Sequence, residues 1–581
     1  MKTISSYLSF VEKSLYDKVG ERPFIGYAIN RMEELWNERR VFIVEAPTGY
    51  GKTTISAALA LYTLENELKA IIAYPLRTLL EDQYFKFLKL INNRELLGKR
   101  YMHNPDSRFL IKPITLTTID TLSLTLFGIS PEELGTVLKS YLGTLTGSLG
   151  HYLFSWASAL LSNIVLDEVH LLADTTKSLN FLAALIKIVA DNDQRLILMS
   201  ATIPNALKSV LKSPRLGPYK NKICLIEFNE KPDRNFLQER GKKEYRVLLE
   251  EVEKENKFEA ILKLLGDRLK IYDRAIVVFN TVSDAVSFYA MIRNSFPGYK
   301  KVLLHSRFSE SDRERKTREL KRLERKYIIV STQVIEAGID ISSNLFITEI
   351  APANSLIQRL GRFLRYPNEN EGEVIIWYER EIMNLTNARK YKVYDLDLVK
   401  RTLNALRSRD KGDRIELNVH DPQDYTRFLD DVYKESDFRI DMSKVNKLFT
   451  IVLDVDRGGL KAAGMLIEEF RGSFVREGNI IPVIAYGEIR NKIMKDGRVR
   501  MTLKELAKVS VPVSSKLLKK NLILGYITVE KSKGDTLLFE EVKNGSRKYY
   551  DLLEHMLRKS IVAYVIDAEY NSELGLVVRK K

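Results

Sequence analysis

Residues that could carry phosphate chemistry stand directly after an apolar run, Val41–Val44. They form the stretch Ala46-Pro-Thr-Gly-Tyr-Gly-Lys-Thr-Thr54. Backbone N–H groups of a glycine loop, and the N-terminus of the helix that follows it, bind phosphate. Lys52 would reach the β- and γ-phosphates, and the Thr53 hydroxyl would hold Mg²⁺. The sequence therefore predicts an ATP site, and we expect its cofactor-binding residues to include Thr48, Gly49, Gly51, Lys52, Thr53 and Thr54.

A second apolar run, Asn163–Leu166, ends in Asp167-Glu-Val-His170. In an open parallel α/β sheet, ligands bind at the carboxyl ends of the strands. Asp167 would position Mg²⁺ together with Thr53, and Glu168 would orient and polarise the attacking water. The two stretches together predict hydrolysis of ATP with Mg²⁺ as the metal and Lys52 among the catalytic residues.

Another strand end carries hydroxyl groups, in Leu198-Met-Ser-Ala-Thr-Ile-Pro204. Ser200 and Thr202 could sense the state of the nucleotide and relay it. A lone histidine is usually structural, but His170 belongs to the acidic stretch. We therefore expect these three residues to couple hydrolysis to another event.

Two further stretches lie in the second half of the chain, Ser331–Asp340 and Gln358–Arg365. Arg362 and Arg365 are three residues apart, so on a helix they project to one side. Guanidinium groups suit the charge that develops on a γ-phosphoryl group. A basic helical turn alone is usually a solvated face. With the phosphate loop present, we expect both arginines to be catalytic.

Apolar strands alternate with helical stretches twice, which predicts two parallel sheets with crossover helices. The predicted strands are 41–44, 70–74, 114–117, 163–166 and 196–199, then 275–279, 301–305, 328–331, 345–350 and 374–378. The polar sequence around 229–257 marks a junction. We expect a first ATP-binding domain over 1–228 with an insertion at about 95–162, a second domain over 229–380, and an accessory α+β region over 381–581.

The overall charge favours a polyanionic partner. The chain of 581 residues has 92 Lys+Arg and 76 Asp+Glu, hence 92 − 76 = +16, and a pI near 9.3. This balance favours nucleic acid before membrane. The single cysteine, Cys224, cannot form an intrachain disulfide and fits a reducing compartment. No secretory signal or membrane-spanning apolar run is visible, so we expect a cytoplasmic protein with no membrane partner.

The ordered series of stretches resembles a superfamily 2 helicase of the DExH type, with two tandem RecA-like domains. More closely, it is similar to the CRISPR-associated helicase of type I interference systems. The features that carry this resemblance are Tyr74–Leu79, Asp167–His170, Leu304–Phe308 with Asp312-Arg313, Val334–Ile341 and Leu356–Arg362. The superfamily match covers about 20–380, and 381–581 match only through Phe470–Phe474 and Ile481–Val483.

The resemblance implies a nucleic-acid-stimulated ATPase that moves 3′ to 5′ on single-stranded DNA in antiviral defence. It also implies recruitment to target DNA opened by a guide-RNA effector complex. Asp340 would contact the ribose, and Gln358 the γ-phosphate or its water. The single strand would lie over Pro75, Arg77, Thr117, Thr118, Asn280, Thr281, His305, Arg307 and Thr332. Hydroxyls, amides and positive side chains can follow a phosphate chain without reading bases.

The sequence departs from the family pattern in two ways. Relatives are often fused to a metal-dependent HD-type nuclease, which needs several convergent His and Asp ligands. The six histidines here are scattered, and only His420-Asp421 forms such a pair, so we expect the nuclease to be a separate subunit. Relatives also place an adenine-recognising glutamine where Ile25 stands, which puts the selectivity for ATP in question.

Two other functions fit the same residues. DExH motors act on both nucleic acids, so one alternative is an RNA-remodelling or DNA-repair helicase. The other is a nucleotide-gated nucleic-acid-binding scaffold that does not turn over. Glu168, Gln358 and both arginines argue against the scaffold, because it has no need of them all.

Overall fold

The computed structural model describes most of the chain. The described residues are 2–15, 22–101, 106–107, 109–131, 134–141, 143, 150–173, 175–336, 338–386, 390–453, 459–518, 522–530, 536–542 and 551–578. Among them, no helix combines the length and the apolar character that crossing a membrane requires.

The chain divides into two compact units. Unit 1 contains the residues up to Asp233 together with Glu435–Ala507 and Val513–Asp567. Unit 2 contains Arg234–Lys434, the short stretch Lys508–Pro512 and the residues from Ala568 onward.

A parallel sheet forms the centre of unit 1. Within the described residues its strands are β1 (Val41–Glu45), β2 (Lys69–Tyr74), β3 (Leu97–Arg100), β4 (Ile114–Thr118), β5 (Ser162–Leu166), β6 (Leu196–Ser200) and β7 (Ile223–Glu227). Their order is β3-β4-β2-β5-β6-β1-β7. β1 and β6 are buried along their whole length, because helices cover both faces of such a sheet.

The helices of this part alternate with the strands. They are α1 (Leu8–Leu15), α2 (Pro23–Glu34), α3 (Thr53–Glu65), α4 (Arg77–Ile91), α5 (Ile119–Leu126), α6 (Leu134–Tyr141), α7 (Leu153–Leu160), α8 (Thr176–Asp191) and α9 (Asn205–Leu211). Thus the predicted insertion holds short helices and the edge strand β3. The rest of its glycine-rich stretch, 142 and 144–149, lies outside the described residues.

Unit 2 contains a second parallel sheet. Its strands in the described ranges are β8 (Glu244–Val252), β9 (Arg274–Val278), β10 (Lys300–Leu304), β11 (Tyr327–Ser331), β12 (Leu345–Glu349) and β13 (Glu371–Glu379), in the order β10-β11-β9-β12-β13-β8. β8 lies in the polar stretch that the sequence indicated as a junction. It pairs with β13 at the edge of the sheet and is half exposed, which explains its polar sequence.

The helices of unit 2 surround this sheet, and a short hairpin follows it. The helices are α10 (Arg234–Gly241), α11 (Lys257–Arg268), α12 (Val282–Ile292), α13 (Glu310–Leu320), α14 (Ala353–Leu360), α15 (Leu396–Arg407) and α16 (Pro422–Val432). The hairpin consists of β14 (Lys390–Tyr391) and β15 (Tyr394–Asp395). The charged sequence over 382–408 predicts one helix, and this prediction is wrong: the hairpin lies within that stretch, and Asp395 accepts hydrogen bonds from the amides of Asp397 and Leu398 and caps α15 there.

The remaining residues are α+β, as predicted for the accessory region. They form α17 (Met442–Leu453), α18 (Leu460–Glu468), β16 (Ile480–Ala485), α19 (Tyr486–Ile489), α20 (Leu503–Val509), β17 (Val511–Ser514), β18 (Ile523–Glu530), β19 (Thr536–Glu541), α21 (Asp551–Arg558), β20 (Ile561–Ile566), β21 (Glu569–Asn571) and β22 (Gly575–Val577). One mixed sheet has the order β17-β16-β20-β18-β19, and β21 and β22 form a hairpin. The predicted fold class, two parallel α/β sheets plus an α+β region, is confirmed.

Candidate ATP and nucleic-acid site

The glycine loop connects β1 to α3 at the carboxyl edge of the first sheet. Gly49 and Gly51 have φ angles of 76° and 97°, a left-handed backbone that favours glycine. Lys52 is buried, and its Nζ donates to the carbonyl of Ala46 at 3.0 Å. The amine is thus folded back over the loop whose N–H groups would meet a phosphate.

The acidic pair follows β5, which lies two strands from β1 with β6 between them. The Asp167 amide donates to the carbonyl of Ala73 at 3.1 Å, and Glu168 has a φ of 52°. Burial and the charge of Glu168 raise the pKa of Asp167 to about 7, although Lys52 opposes the shift. The positive charge of Lys52 therefore does not offset the burial of this carboxylate and the charge of Glu168. Together with the Thr53 hydroxyl it offers the hard oxygen ligands that Mg²⁺ prefers.

His170 links the acidic pair to the end of β6. Its Nδ1 lies 3.1 Å from Ser200 Oγ and 3.4 Å from Glu168 Oε2. Ser200 Oγ donates to the carbonyl of Thr202 at 3.0 Å, so we assign the shared proton to His170 Nδ1. Burial lowers the pKa of His170, which keeps the ring neutral at neutral pH. His170, Ser200 and Thr202, which were predicted to couple hydrolysis to another event, therefore belong to one hydrogen-bonded group.

Tyr50 is a site residue that the sequence did not reveal. It is completely buried within the glycine loop, and its hydroxyl donates to Asp233 Oδ2 at 3.0 Å. The Tyr50 hydroxyl oxygen also accepts a hydrogen bond from the Phe24 amide at 3.2 Å. The Arg22 guanidinium carbon lies 5.3 Å from the ring centroid. Tyr50 thus ties the phosphate loop to the start of α2, and the residue at the glutamine position, Ile25, is wholly buried in that helix.

The predicted arginine pair has a different geometry from the one expected. α14 ends at Leu360, and Leu364 has a φ of 42°, so Arg362 and Arg365 do not share a helix face. The helical expectation is wrong because Phe363 forms a bridge with Ser343, which turns the chain away from the helix axis.

Each arginine instead makes its own contacts within unit 2. Arg362 is buried and donates to the carbonyls of Ile335 and Glu336, at 3.0 and 3.1 Å. Arg365 Nε pairs with Asp340 Oδ1 at 3.0 Å. The expected ribose contact and one expected catalytic arginine are therefore partners of each other in this arrangement. Gln358 is buried on α14.

Arg359 is the second site residue that the sequence did not reveal. It is fully buried between Gln358 and Arg362, and its Nε donates to Glu336 Oε1 at 2.9 Å. It also donates to Thr348 Oγ1 at 3.0 Å. A sequence pattern does not show which arginine of such a turn faces inward, so only the nearby Gln358, Arg362 and Arg365 were predicted to be functional.

The unit 1 residues that were expected to contact single-stranded DNA lie near the ends of β2 and β4. Arg77 donates to the Tyr101 hydroxyl at 2.8 Å, and its guanidinium carbon lies 4.0 Å from that ring centroid. Thr118 caps α5. Thr117 is buried, and its hydroxyl donates to the carbonyl of Arg100 at 2.8 Å.

An arginine from the accessory region reaches the same place. Arg476 Nε donates to both carboxylate oxygens of Asp120 at 2.8 Å. Its NH2 donates to the carbonyl of Pro75 at 3.3 Å. Arg476 therefore belongs to the surface that was expected to bind single-stranded DNA.

Most of the unit 2 residues that were expected to contact single-stranded DNA are buried. Asn280 and Thr332 are buried, and Thr281 caps α12. His305 is also buried: its Nε2 donates to the carbonyl of Leu574 at 2.9 Å, and its Nδ1 accepts from the Arg307 amide at 3.1 Å. Burial lowers the pKa of His305 to about 3, so the ring is neutral.

The His420-Asp421 pair belongs to the core and to a helix end. The His420 ring is buried 6.0 Å from the Phe363 ring centroid and 5.3 Å from that of Tyr245. Asp421 accepts from the Gln423 amide at 2.9 Å and caps α16. In the part of the chain that the structure describes, no three His, Cys, Asp or Glu side chains converge to hold a metal ion.

Two family models match the chain in the regions just described. The DEAD/DEAH box helicase model matches residues 27–210. The model for the C-terminal part of the CRISPR-associated nuclease/helicase Cas3 matches residues 272–368. These two matches agree with the helicase resemblance that the sequence motifs indicated.

The chain is also similar to Cas3 proteins over much of its length. It is 28% identical over 460 residues to a putative CRISPR-associated nuclease/helicase Cas3 of Methanocaldococcus jannaschii, covering 72% of this chain and 55% of that protein. It is 27% identical over 361 residues to a CRISPR-associated helicase Cas3 of Thermoproteus tenax, covering 59% and 56%. The chain thus spans about half the length of these relatives.

Solved structures agree on the fold. The ATP complex of T. fusca Cas3 covers 98% of this chain with a TM-score of 0.64 and 16% identity, over 70% of its own length. A chain of a CRISPR RNA-guided surveillance complex, pre-nicking, gives a TM-score of 0.58 at 16% identity, over 98% of this chain and 69% of its own length. At this identity the likeness concerns the architecture of the chain.

Proposed function

We propose that the chain is an ATP-dependent helicase or translocase that moves 3′ to 5′ on single-stranded DNA in CRISPR antiviral interference. The observation that carries this proposal is the meeting of Lys52, Asp167 and Glu168 at one edge of the first sheet, with His170 bonded to Ser200 beside them. Phosphate-binding, metal-binding and water-orienting groups occupy adjacent positions there.

Each residue of this edge has a role in the proposed hydrolysis. Lys52 and the amides of the loop, from Thr48 to Thr54, bind the β- and γ-phosphates. Thr53 and Asp167 would hold Mg²⁺, which supplies positive charge to the phosphate oxygens when bound. Glu168 orients the attacking water and accepts its proton.

The second unit contributes the groups proposed for the developing charge on the γ-phosphoryl group. Arg362 and Arg365 would leave their present partners, the two carbonyls and Asp340, and turn to the phosphate. Asp340 would then be available for the ribose, and Gln358 for the γ-phosphate or its water. Such an arginine typically contributes a factor of about 10³–10⁵ in rate.

The strand partner is proposed from charge and from exposed polar groups. The net charge of +16 favours a polyanion. Of the expected strand contacts, Pro75, Arg77, Thr281 and Arg307 are partly exposed. The buried ones, Thr117, Thr118, Asn280, His305 and Thr332, would support them from below.

The biological setting is proposed from the relatives. One relative is a putative CRISPR-associated nuclease/helicase Cas3, and one structurally similar chain belongs to a CRISPR RNA-guided surveillance complex. We infer that this chain works in the cytoplasm with a guide-RNA effector complex, and that an HD-type nuclease is supplied by a separate subunit. The buried His420, packed in the core of unit 2, supports the second inference.

The test is steady-state ATP hydrolysis with no nucleic acid, with single-stranded DNA, and with RNA of the same sequence. We expect stimulation by DNA and loss of turnover in Lys52→Ala. Stronger stimulation by RNA would favour the RNA-remodelling alternative. Binding of ATP and DNA without turnover above that of Glu168→Gln would favour the scaffold.

A further inference from the structure

The hairpin β14–β15 inserts side chains into the polar interior of unit 2. The Tyr394 hydroxyl accepts from Arg359 NH2 at 2.8 Å and donates to Glu336 Oε1 at 3.2 Å. Arg359 and Glu336 are themselves paired at 2.9 Å. The Tyr394 hydroxyl therefore completes a hydrogen-bonded group with Glu336 and Arg359. These two residues belong to the stretches Ser331–Asp340 and Gln358–Arg365, which could not complete the group without the hairpin.

Arg359 extends this group to Asn280, two residues before the start of α12. Its NH2 donates to Asn280 Oδ1 at 3.0 Å. Asn280 Nδ2 donates to the carbonyl of Ile350 at 2.8 Å, and its own carbonyl accepts from Gln333 Nε2 at 2.9 Å. A single guanidinium thus joins α14, the Gln333–Glu336 segment and an expected strand contact.

Two other side chains of the hairpin reach Asn280 indirectly, through Glu349. Lys392 Nζ contacts Glu349, Glu379 at 3.0 Å and Asp284 at 3.4 Å. Tyr391 donates to Glu349 Oε1 at 3.0 Å. Glu349 is fully buried, and its second oxygen accepts from the Asn280 amide at 2.8 Å. Asn280 is therefore held by both halves of the hairpin network.

We propose that this hairpin is a positioning element that couples strand contact to ATP hydrolysis, an inference that rests on the proposed function. Thr281 is the neighbour of Asn280, and Gln358 and Arg362 flank Arg359. Displacement of Asn280 by a bound strand changes the hydrogen bonds of Arg359, and with them the position of the two flanking residues. Buried polar groups of this kind act as a unit, because each loses more than one bond if a single partner moves.

Tyr394→Phe tests this coupling, because it removes one oxygen and keeps the ring. The quantity is the ratio of ATP turnover with and without single-stranded DNA. We expect the ratio to fall by about fivefold, the factor that one net hydrogen bond supplies, while the unstimulated rate changes less than about twofold. Tyr391→Phe, which removes the hydroxyl that Glu349 accepts, is expected to lower the ratio as well.

Tyr378→Phe is the matched control. Its hydroxyl also bonds within unit 2, donating to Glu251 at 2.9 Å, but contacts none of the coupled residues. We expect its ratio and melting temperature to match those of the parent. An unchanged ratio in both hairpin variants would overturn the proposal, as would an equal loss of unstimulated and stimulated rates. A parent chain without stimulation would overturn the proposed function and this inference with it.

Discussion

His170 Nδ1 lies 3.1 Å from Ser200 Oγ, so a hydrogen bond joins the end of β5 to the end of β6. The same nitrogen is 3.4 Å from Glu168 Oε2, the group proposed to orient the attacking water. The neutral ring therefore contacts both Glu168 and the strand end that continues to Thr202. A change at either side alters the bond to the other.

Ser200→Ala should separate hydrolysis from its stimulation. The variant removes the hydroxyl that His170 contacts but leaves Lys52, Asp167 and Glu168 in place. We expect the stimulation by single-stranded DNA to fall by about fivefold, the value of one net hydrogen bond. The measurement is turnover with and without the strand. Ser123→Ala, whose hydroxyl donates to the carbonyl of Asp120, is the control, and an equal effect in both would refute a specific role for Ser200.

Tyr50→Phe should weaken ATP binding. It removes the hydroxyl that donates to Asp233 and accepts from Phe24, so the glycine loop loses its tie to α2. We expect the KM for ATP to rise by about fivefold with a smaller change in kcat, because the loop binds substrate and transition state alike. Tyr27→Phe removes an exposed hydroxyl bonded to Glu230 and serves as the control. A KM equal to that of the parent would show that the loop holds its shape without the bond.

Arg359→Met should destabilise unit 2. The substitution leaves Glu336 buried without its cation, a change that typically lowers the free energy of unfolding by about 3–5 kcal/mol. Urea unfolding followed by circular dichroism measures it. Arg380→Met removes an exposed arginine paired with Glu251 and should give no measurable change. Equal midpoints for the two variants would contradict the structural role assigned to Arg359.

His305 should make unit 2 less stable in mild acid. Burial, with Arg307, Lys316 and Arg313 nearby, lowers its pKa from 6.5 to about 3. Above 6.5 the ring is neutral in both states, and below it only the unfolded chain takes the proton. The stability is therefore lost as the pH falls from 6.5 towards 3. Between about pH 7.5 and about pH 5 the loss from this residue is about 2 kcal/mol.

The check is urea unfolding at both pH values for the parent and for His305→Gln. The variant lacks the titrating ring, so the difference between the two pH values should shrink by the amount stated. His151→Gln alters an exposed histidine and should keep the dependence of the parent. A variant as sensitive to acid as the parent would show that another group causes the loss.

The sequence predicted the buried strands well because their apolar runs have one physical explanation. Ten of the strands expected from such runs are present, from Val41–Glu45 to Glu371–Glu379. It did not reveal β8, because an edge strand is half exposed and can be polar. It also gave 382–408 as a helix, where Asp395 caps a helix that begins only at Leu396.

The candidate site was predictable where function depends on local spacing. The residues from Thr48 to Thr54 and from Asp167 to His170 each follow a strand, and parallel strands bring them to one edge. Tyr50, Arg359 and Tyr394 were not predictable, because their roles depend on partners distant in sequence, such as Asp233 and Glu336. The bend after Leu360 likewise depends on the bridge to Ser343.

The most direct test of the account is the steady-state ATPase rate of Glu168→Gln in the presence of single-stranded DNA. The substitution keeps the size of the side chain and its bond geometry but removes the base. The account predicts that ATP still binds and that kcat falls by about 10²–10⁴-fold, the range for a general base. A Glu168→Gln enzyme that turns over at the rate of the parent would contradict the assignment of this sheet edge as the site of hydrolysis.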